Sequence, residues 1–470
     1  MSGGAWAPER RLLTSGLIGL VTAAAFEGMA VPTVLPALVG DLGGLDLYGW
    51  AFSAFWLTNI IGITLGGADA DRRGPARAFA VGVLLFAAGM VVSGLASGML
   101  QVIAGRAIQG FGSGALGAVV YAAIARAYPA ATRPRMIALI SSAWVVPGLV
   151  GPALAGIVSD AVGWRWVFLG IVPPVLVMGL AVYPQLAALR PAERSGVPAR
   201  SDTRRAGDAV LLAIGSTMLL AALTVGSPLI ALALAAPGAW LALAALRHLL
   251  PEGSLRLTPG RPAVVVAVFA IAFAFFGTEA FVPLAVVEVR GGSVTLGGVA
   301  LSAAAVTWGS GSWVQARVAA SGVRRRVVSA GTALIGIGIA ITSFVLVPDV
   351  PVLVAALGWG VSGLGMGLAY SMLALLVLET ATPGEEGASS AAIQLMFTLG
   401  TAFGAGVGGA VVALADSGVL ALTPALGIVY GTMLVVSLLG LLVAWRVPRS
   451  AAEHGVHHAG IPAGIPLEHP

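Results

Sequence analysis

Residues 99–128 read MLQVIAGRAIQGFGSGALGAVVYAAIARAY, a long apolar run with Arg106 set well inside it. The run is long enough to cross a bilayer as a helix, which needs about 20 apolar residues. A charge at the bilayer centre costs roughly 2.5 to 3.5 kcal/mol even on lenient insertion scales, so Arg106 is expected to face a bundle interior and to work there. The glycines beside it, Gly110 and Gly114 among them, have the small-xxx-small spacing that lets helices approach closely in lipid.

The rest of the chain has the same character. Hydrophobic residues make up 58% of 470, charged ones 10%, and the mean hydropathy is +0.97, which excludes an ordinary soluble domain. The reading is an all-α polytopic membrane protein. Apolar stretches predict fourteen spans, at 12–38, 47–68, 78–97, 99–127, 136–159, 165–188, 208–226, 229–247, 262–287, 294–316, 326–347, 350–378, 388–414 and 419–446. The seventh and eighth are short and joined only by Gly226-Ser227-Pro228, so an interfacial hairpin is the alternative for that pair.

All 25 basic residues are arginine. All but three fall in segments that alternate onto one side; Arg165 and Arg290 lie on the other, and Arg106 within a span. By the positive-inside rule this places both termini in the cytoplasm and the protein in the cytoplasmic membrane. The net charge of +5 therefore reflects topology and predicts no nucleic-acid partner. The first apolar stretch is too long for a signal-peptide core, so it is expected to remain as span 1.

The polar stretch from Arg190 to Asp208 separates six spans from the rest, and Pro251 to Pro262 precedes six more. The expected organisation is a six-helix bundle (1–189), a cytoplasmic linker with two inserted spans (190–261), a second six-helix bundle (262–447) and a disordered cytoplasmic tail (448–470). A faint repeat supports duplication: Gly67–Arg77 and Gly311–Arg326 each follow the second span of a block, with Gln315 where the first copy has Asp71. With no cysteine, disulfides and thiolate catalysis are excluded. Four of the five histidines lie in the tail, no HExxH occurs, and no metal, cofactor or enzymatic activity is expected.

Two acids are embedded. Glu27 lies mid-way along span 1, too far from either surface for a short side chain to reach water. Glu279 follows Phe275-Phe276-Gly277-Thr278 towards the outer third of span 9, where a carboxylate among aromatic rings suits lipophilic cations.

Four motifs carry a resemblance. They are Gly67-Ala68-Asp69-Ala70-Asp71-Arg72-Arg73-Gly74-Pro75-Ala76-Arg77 after span 2, the span 4 segment Arg106 to Gly110, the span 5 segment Pro147-Gly148-Leu149-Val150-Gly151-Pro152-Ala153-Leu154-Ala155-Gly156, and Gly163-Trp164-Arg165-Trp166-Val167-Phe168 leading to Pro173-Pro174. Together they resemble the major facilitator superfamily, specifically its 14-span drug:proton antiporters. The match is strongest in the first half; the second half resembles the family in layout and in Gly387-Ala388-Ser389-Ser390. Asp69, Pro75 and Ala76 depart from the loop pattern, and Pro147 and Ala155 replace two glycines of the span 5 pattern.

The resemblance implies the major facilitator fold, two six-helix bundles rocking about a central cavity lined by spans 1, 4, 9 and 12, with the inserted pair outside this core. It implies proton coupling through Glu27 with Arg106 and Gln109, which share a helix face at i, i+3. Burial and a neighbouring cation pull on Glu27 in opposite directions, so its charge should respond to what else is bound. Arg106→Lys is then expected to be tolerated better than Arg106→Ala. A conformational latch is expected of Gly67, Asp71, Arg72, Arg73, Gly74 and Arg77, with Asp71 against the cytoplasmic start of span 13 and the arginines facing Glu379, Glu385 and Glu386. Pro147, Gly148, Gly151, Pro152 and Gly156 form the antiporter motif, a bend with little bulk that would control leakage. Cavity candidates are Glu279, Trp56, Asn59, Trp144, Trp308, Gln394 and Met396.

The expected function is proton-coupled export of small lipophilic or amphipathic compounds, cationic ones included, by a monomer whose other partners are protons and membrane lipid. Export of a lipid or cell-envelope precursor is the alternative within transport. A non-transporting membrane sensor or assembly protein is the alternative of another class, and the retained intramembrane Glu27 and Arg106 argue against it.

Overall fold

The computed structural model describes residues 5–129, 131–189, 199–318, 323–380 and 386–448. Most of the linker after residue 189 and almost all of the tail lie outside these. Among the described residues fourteen helices are long and apolar enough to cross a membrane, numbered here in chain order. In the first half they are α1 (Arg11–Leu42), α2 (Leu45–Arg73), α3 (Pro75–Gly94), α4 (Met99–Ala127), α5 (Arg135–Val162), α6 (Arg165–Ala187) and α7 (Arg204–Thr224). The second half holds α8 (Pro228–Leu249), α9 (Arg261–Val289), α10 (Val294–Val318), α11 (Arg324–Leu346), α12 (Val354–Glu379), α13 (Ala388–Asp416) and α14 (Leu422–Ala444). Helix is the form these runs must take, because hydrocarbon offers no partner to an unpaired backbone N–H or C=O.

Helices α1–α6 pack into one bundle and α9–α14 into a second, on the same plan. In the first, Gly110 and Gly114 of α4 lie against the Phe55 and Asn59 carbonyls of α2, so closely that a Cβ at either would overlap them. In the second, Gly363 and Gly367 of α12 lie in the same way against the Ala304 and Trp308 carbonyls of α10. Bulk is absent where backbones touch, and this is the small-residue packing that holds helices together in lipid. Helix α7 packs on α2 and α13, with Leu220 against Gly406, and α8 packs on α7 outside the twelve-helix core.

Three helices are broken where the sequence predicts continuous spans. Span 5 turns at Ala143-Trp144, span 6 at Gly170-Ile171 and span 9 at Ala280-Phe281. Each break lies just before a proline, Pro147, Pro173 and Pro283, which has no N–H to give to the carbonyl four residues earlier. Pro32 and Pro36 leave α1 unbroken. The span 9 break is covered by two tyrosines: the Tyr48 hydroxyl donates to the Ala280 carbonyl at 2.9 Å and the Tyr430 hydroxyl to the Phe281 carbonyl at 3.3 Å.

The two outer arginines have structural tasks. Arg165 donates to Asp41 at 2.6 Å and to the Ala96 carbonyl at 3.2 Å, while the Trp164 indole donates to the same Asp41 oxygen at 3.1 Å. Gly163, at φ +99°, turns the chain so that both reach it. Arg290 donates to the carbonyls of Val345, Val347 and Pro348.

The bundles meet along two seams, α5 with α10 and α2 with α13. Hydrogen bonds join described residues of the two bundles in the outer half: Tyr48 to Ala280, Ser53 to the Ala402 carbonyl at 2.8 Å, and Thr295 to Asp160. Gly49 and Gly409 meet backbone to backbone at the same level. These contacts close the outer side.

Candidate functional site

Arg106 is 2% exposed and Glu27 1%, and they form an ion pair between α4 and α1. The same Arg106 Nη1 donates to Gln109 Oε1 at 2.8 Å, while Nε donates to the Ala51 carbonyl of α2 at 3.1 Å. The guanidinium lies over the Phe55 ring, 4.3 Å from its centre, and so completes a site built from three helices. Arg106 is placed there by local packing. Gly105 comes up against α3 and Gly110 against α2, which fixes the rotation of α4 and turns Arg106 and Gln109 inward.

Two polar atoms of this buried group, Glu27 Oε2 and Gln109 Nε2, have no hydrogen-bond partner among the described residues. Such orphaned atoms are uncommon in a buried group and call for an explanation. The arrangement can take a proton on a carboxylate whose other oxygen is already held. It also sharpens one expectation. Lysine carries the charge but cannot supply the separate Nε and Nη1 donors that join α2, α1 and Gln109, so the fork matters as well as the charge.

Span 5 supplies the seam. A Cβ at Gly156 would lie 2.5 Å from Thr295 Cα, and one at Gly148 would lie 3.2 Å from Ala305 Cβ. Gly298 of α10 comes up against the Pro152 carbonyl, and Gly151 faces the Phe26 ring of α1. Pro147 sets the bend. The motif residues thus line the contact between bundles, where side chains would hold them apart.

In the loop after α2, Gly74 at φ +90° turns the chain into α3, whose first residue is Pro75. Asp71 pairs with Arg126 of α4 at 3.0 Å, and Asp69 draws in Arg73 at 3.5 Å and Arg77 at 3.8 Å. Glu379 is paired with Arg324. In this structure, closed on the outer side, Arg73 and Arg77 lie beside Asp69 and Glu379 beside Arg324, each pair within one bundle. Arg72 has a partner of its own. The side chains of Glu385 and Glu386 lie outside the described residues. Gln315, the counterpart of Asp71, is buried against Met372.

The cavity candidates separate. Trp308 stands in an aromatic group with Phe275 at 5.5 Å and Tyr370 at 6.3 Å, and Tyr370 in turn meets Phe397 at 5.1 Å. Glu279 lies one turn beyond Phe275 and Phe276 at the break in α9, half-buried, with no hydrogen bond or ion pair to a described residue. Asn59 is buried and donates to the Gly110 carbonyl at 3.3 Å, a helix-to-helix bond that leaves its amide committed to packing. Met396 is buried, Trp56 packs edge-on against Phe55, Gln394 is exposed and Trp144 is 45% exposed. Sequence reading missed Tyr48, Phe55, Tyr370, Phe397 and Asp160. Only the aromatic character of the first four offered a signal.

The fold resembles solved transporters. The structure of a D-xylose-proton symporter superposes with a TM-score of 0.66 at 16% identity, covering 93% of this chain and 97% of its own. A bacterial homologue of the human lysosomal transporter Spinster, in an inward-facing and unoccupied conformation, gives 0.66 at 14% identity over 97% and 99%. Among curated proteins, the "Multidrug transporter protein MdtP" of Bacillus subtilis is 26% identical over 419 residues, 86% of this chain and 75% of its own. The "Uncharacterized MFS-type transporter Rv1877" of Mycobacterium tuberculosis is 27% identical over 430 residues, 86% and 60%. The "Probable multidrug-efflux transporter Rv1634" of the same organism is 26% identical over 432 residues, 88% and 89%. With fourteen apolar helices in two matched bundles and residues 16–405 matching its family description, this multi-pass membrane protein belongs to the Major Facilitator Superfamily of transporters.

Proposed function

We propose that the chain is a proton-coupled antiporter that exports small lipophilic or amphipathic compounds across the cytoplasmic membrane by alternating access. The observation that carries this reading is the buried Glu27–Arg106–Gln109 group with one carboxylate oxygen unbonded. The relatives named as multidrug transporters support the substrate class.

Ionised, Glu27 neutralises Arg106. Protonated, it leaves a net positive charge in a medium where charges are felt strongly, because little water screens them. A cationic substrate in the pathway therefore favours the ionised form and expels the proton, and a proton on Glu27 expels the cation. Gln109 and the Ala51 carbonyl keep hold of Arg106 in both states, so the change of charge is passed to α2 and α4. Glu279, beside Phe275 and Phe276, supplies the opposite charge for a cationic substrate, and the aromatic surface around Trp308, Tyr370 and Phe397 its apolar contact. Asp71 and the arginines near it act as the cytoplasmic latch in the outward-open state.

The test is substrate-driven proton release from the purified protein, together with uptake into proteoliposomes under an imposed pH gradient. Wild type releases protons on adding substrate and transports along the gradient. If Glu27→Gln still exchanges protons normally, the assignment fails.

A further inference from the structure

Among the described residues that make the outer closure's hydrogen bonds, one is a carboxylate. Asp160 is in the last turn of α5, where a carboxylate meets the negative end of its own helix, an unfavourable place for it. Its Oδ2 accepts from the Thr295 backbone N–H at 3.0 Å and from Thr295 Oγ1 at 2.7 Å, in the first turn of α10 on the opposite bundle. That turn has a local cap, since Ser293 Oγ accepts from the Leu296 N–H at 3.1 Å. The Asp160 contact is thus a tie between bundles at the positive end of α10.

We propose that Asp160 is a positioning residue for the transport cycle: its carboxylate, held on the first turn of α10, is an outer latch that keeps the pathway shut to the outside and lets go when the pathway opens outward. Each bundle of this fold is a pair of inverted three-helix repeats, so α5 is the inverted counterpart of α2, and α10 of α13. Asp71 ends α2 at the cytoplasmic face, and Asp160 ends α5 at the outer face. The same device, a carboxylate closing a helix and aimed at the start of a helix across the seam, then stands at both ends and engages in alternation. Its exposed position keeps the tie weak enough to break in every cycle. The inference rests on alternating access and on no choice of substrate or driving ion.

The chain has no cysteine, so a Val162→Cys/Val299→Cys pair, at exposed positions on the outer ends of α5 and α10, can carry two spin labels on the purified full-length protein. Pulsed electron paramagnetic resonance in lipid nanodiscs then reads the closed and open populations. Asp160→Asn should raise the open-to-closed ratio about three- to tenfold, on the scale of a charge at a helix terminus. Thr295→Val, which removes one donor, should move it the same way by less. Asp416→Asn, on an exposed acid at the outer end of α13, should leave it alone. Unchanged distances in both Asp160→Asn and Thr295→Val overturn the latch; if Asp160→Asn does not fold, Thr295→Val decides. Because this readout needs neither substrate nor a proton gradient, failure of the antiport reading would leave it untouched.

Discussion

The two bundles share a helix plan and differ in what they bury. Between α1, α2 and α4 lies a charged group in which Arg106 is held through Nε and Nη1. Around the corresponding α10 and α12 lies an aromatic surface, with Glu279 beside it and unpaired among the described residues. One helix plan is built twice, and the proposed antiport divides its chemistry between the two: a switch of fixed geometry in the first bundle and a surface that tolerates many shapes in the second.

The sharpest way to break this division is at Arg106. Removing one partner of a buried ion pair costs about 3 to 5 kcal/mol, so Arg106→Ala should lower thermal stability markedly and abolish proton release, as read by melting in detergent and by a pH-sensitive dye. Arg106→Lys should fold but couple poorly, because it loses the bond to the Ala51 carbonyl. Full coupling in the lysine variant would show that charge alone suffices. Next in size is the seam. Gly156→Leu inserts a side chain where Thr295 leaves no room for a Cβ, and should hold the outer side ajar, seen as a larger distance between outer labels and a proton leak across proteoliposomes.

A smaller effect is expected in the second bundle. Glu279→Gln should weaken binding of a lipophilic monocation by about tenfold, the scale of one desolvated cation contact, and leave a neutral amphiphile unchanged in a dye-displacement titration. Equal losses for both ligands would remove Glu279 from substrate recognition. Smallest is Asp71→Asn, which should shift the inward and outward populations by about threefold in the same spectroscopic measurement, since its interactions are exposed.

Much of the architecture was legible because apolar length and arginine placement report directly on the bilayer. Arg106 and Glu27 were legible for the same reason: a charge within a span needs a partner. The breaks were not. Pro32 and Pro36 sit in a continuous α1, whereas Pro147, Pro173 and Pro283 follow breaks, so a proline in the sequence does not by itself say where a helix stops; at the span 9 break Tyr48 supplies the Ala280 carbonyl with a donor from the other bundle. Asp160 was hidden differently. As one of several acids near span ends it is unremarked in sequence, and its meaning comes from Thr295 on the other bundle.

The hydroxyl of Tyr48 has one more consequence. It fills the Ala280 carbonyl from across the seam, and when the bundles part that oxygen loses its donor. A bare carbonyl is not tolerated away from water, so solvent must follow the tyrosine out and wet the break in α9. Outward opening therefore has a required depth: a column of water has to extend from the outer surface down to Ala280, bringing hydration within one residue of Glu279.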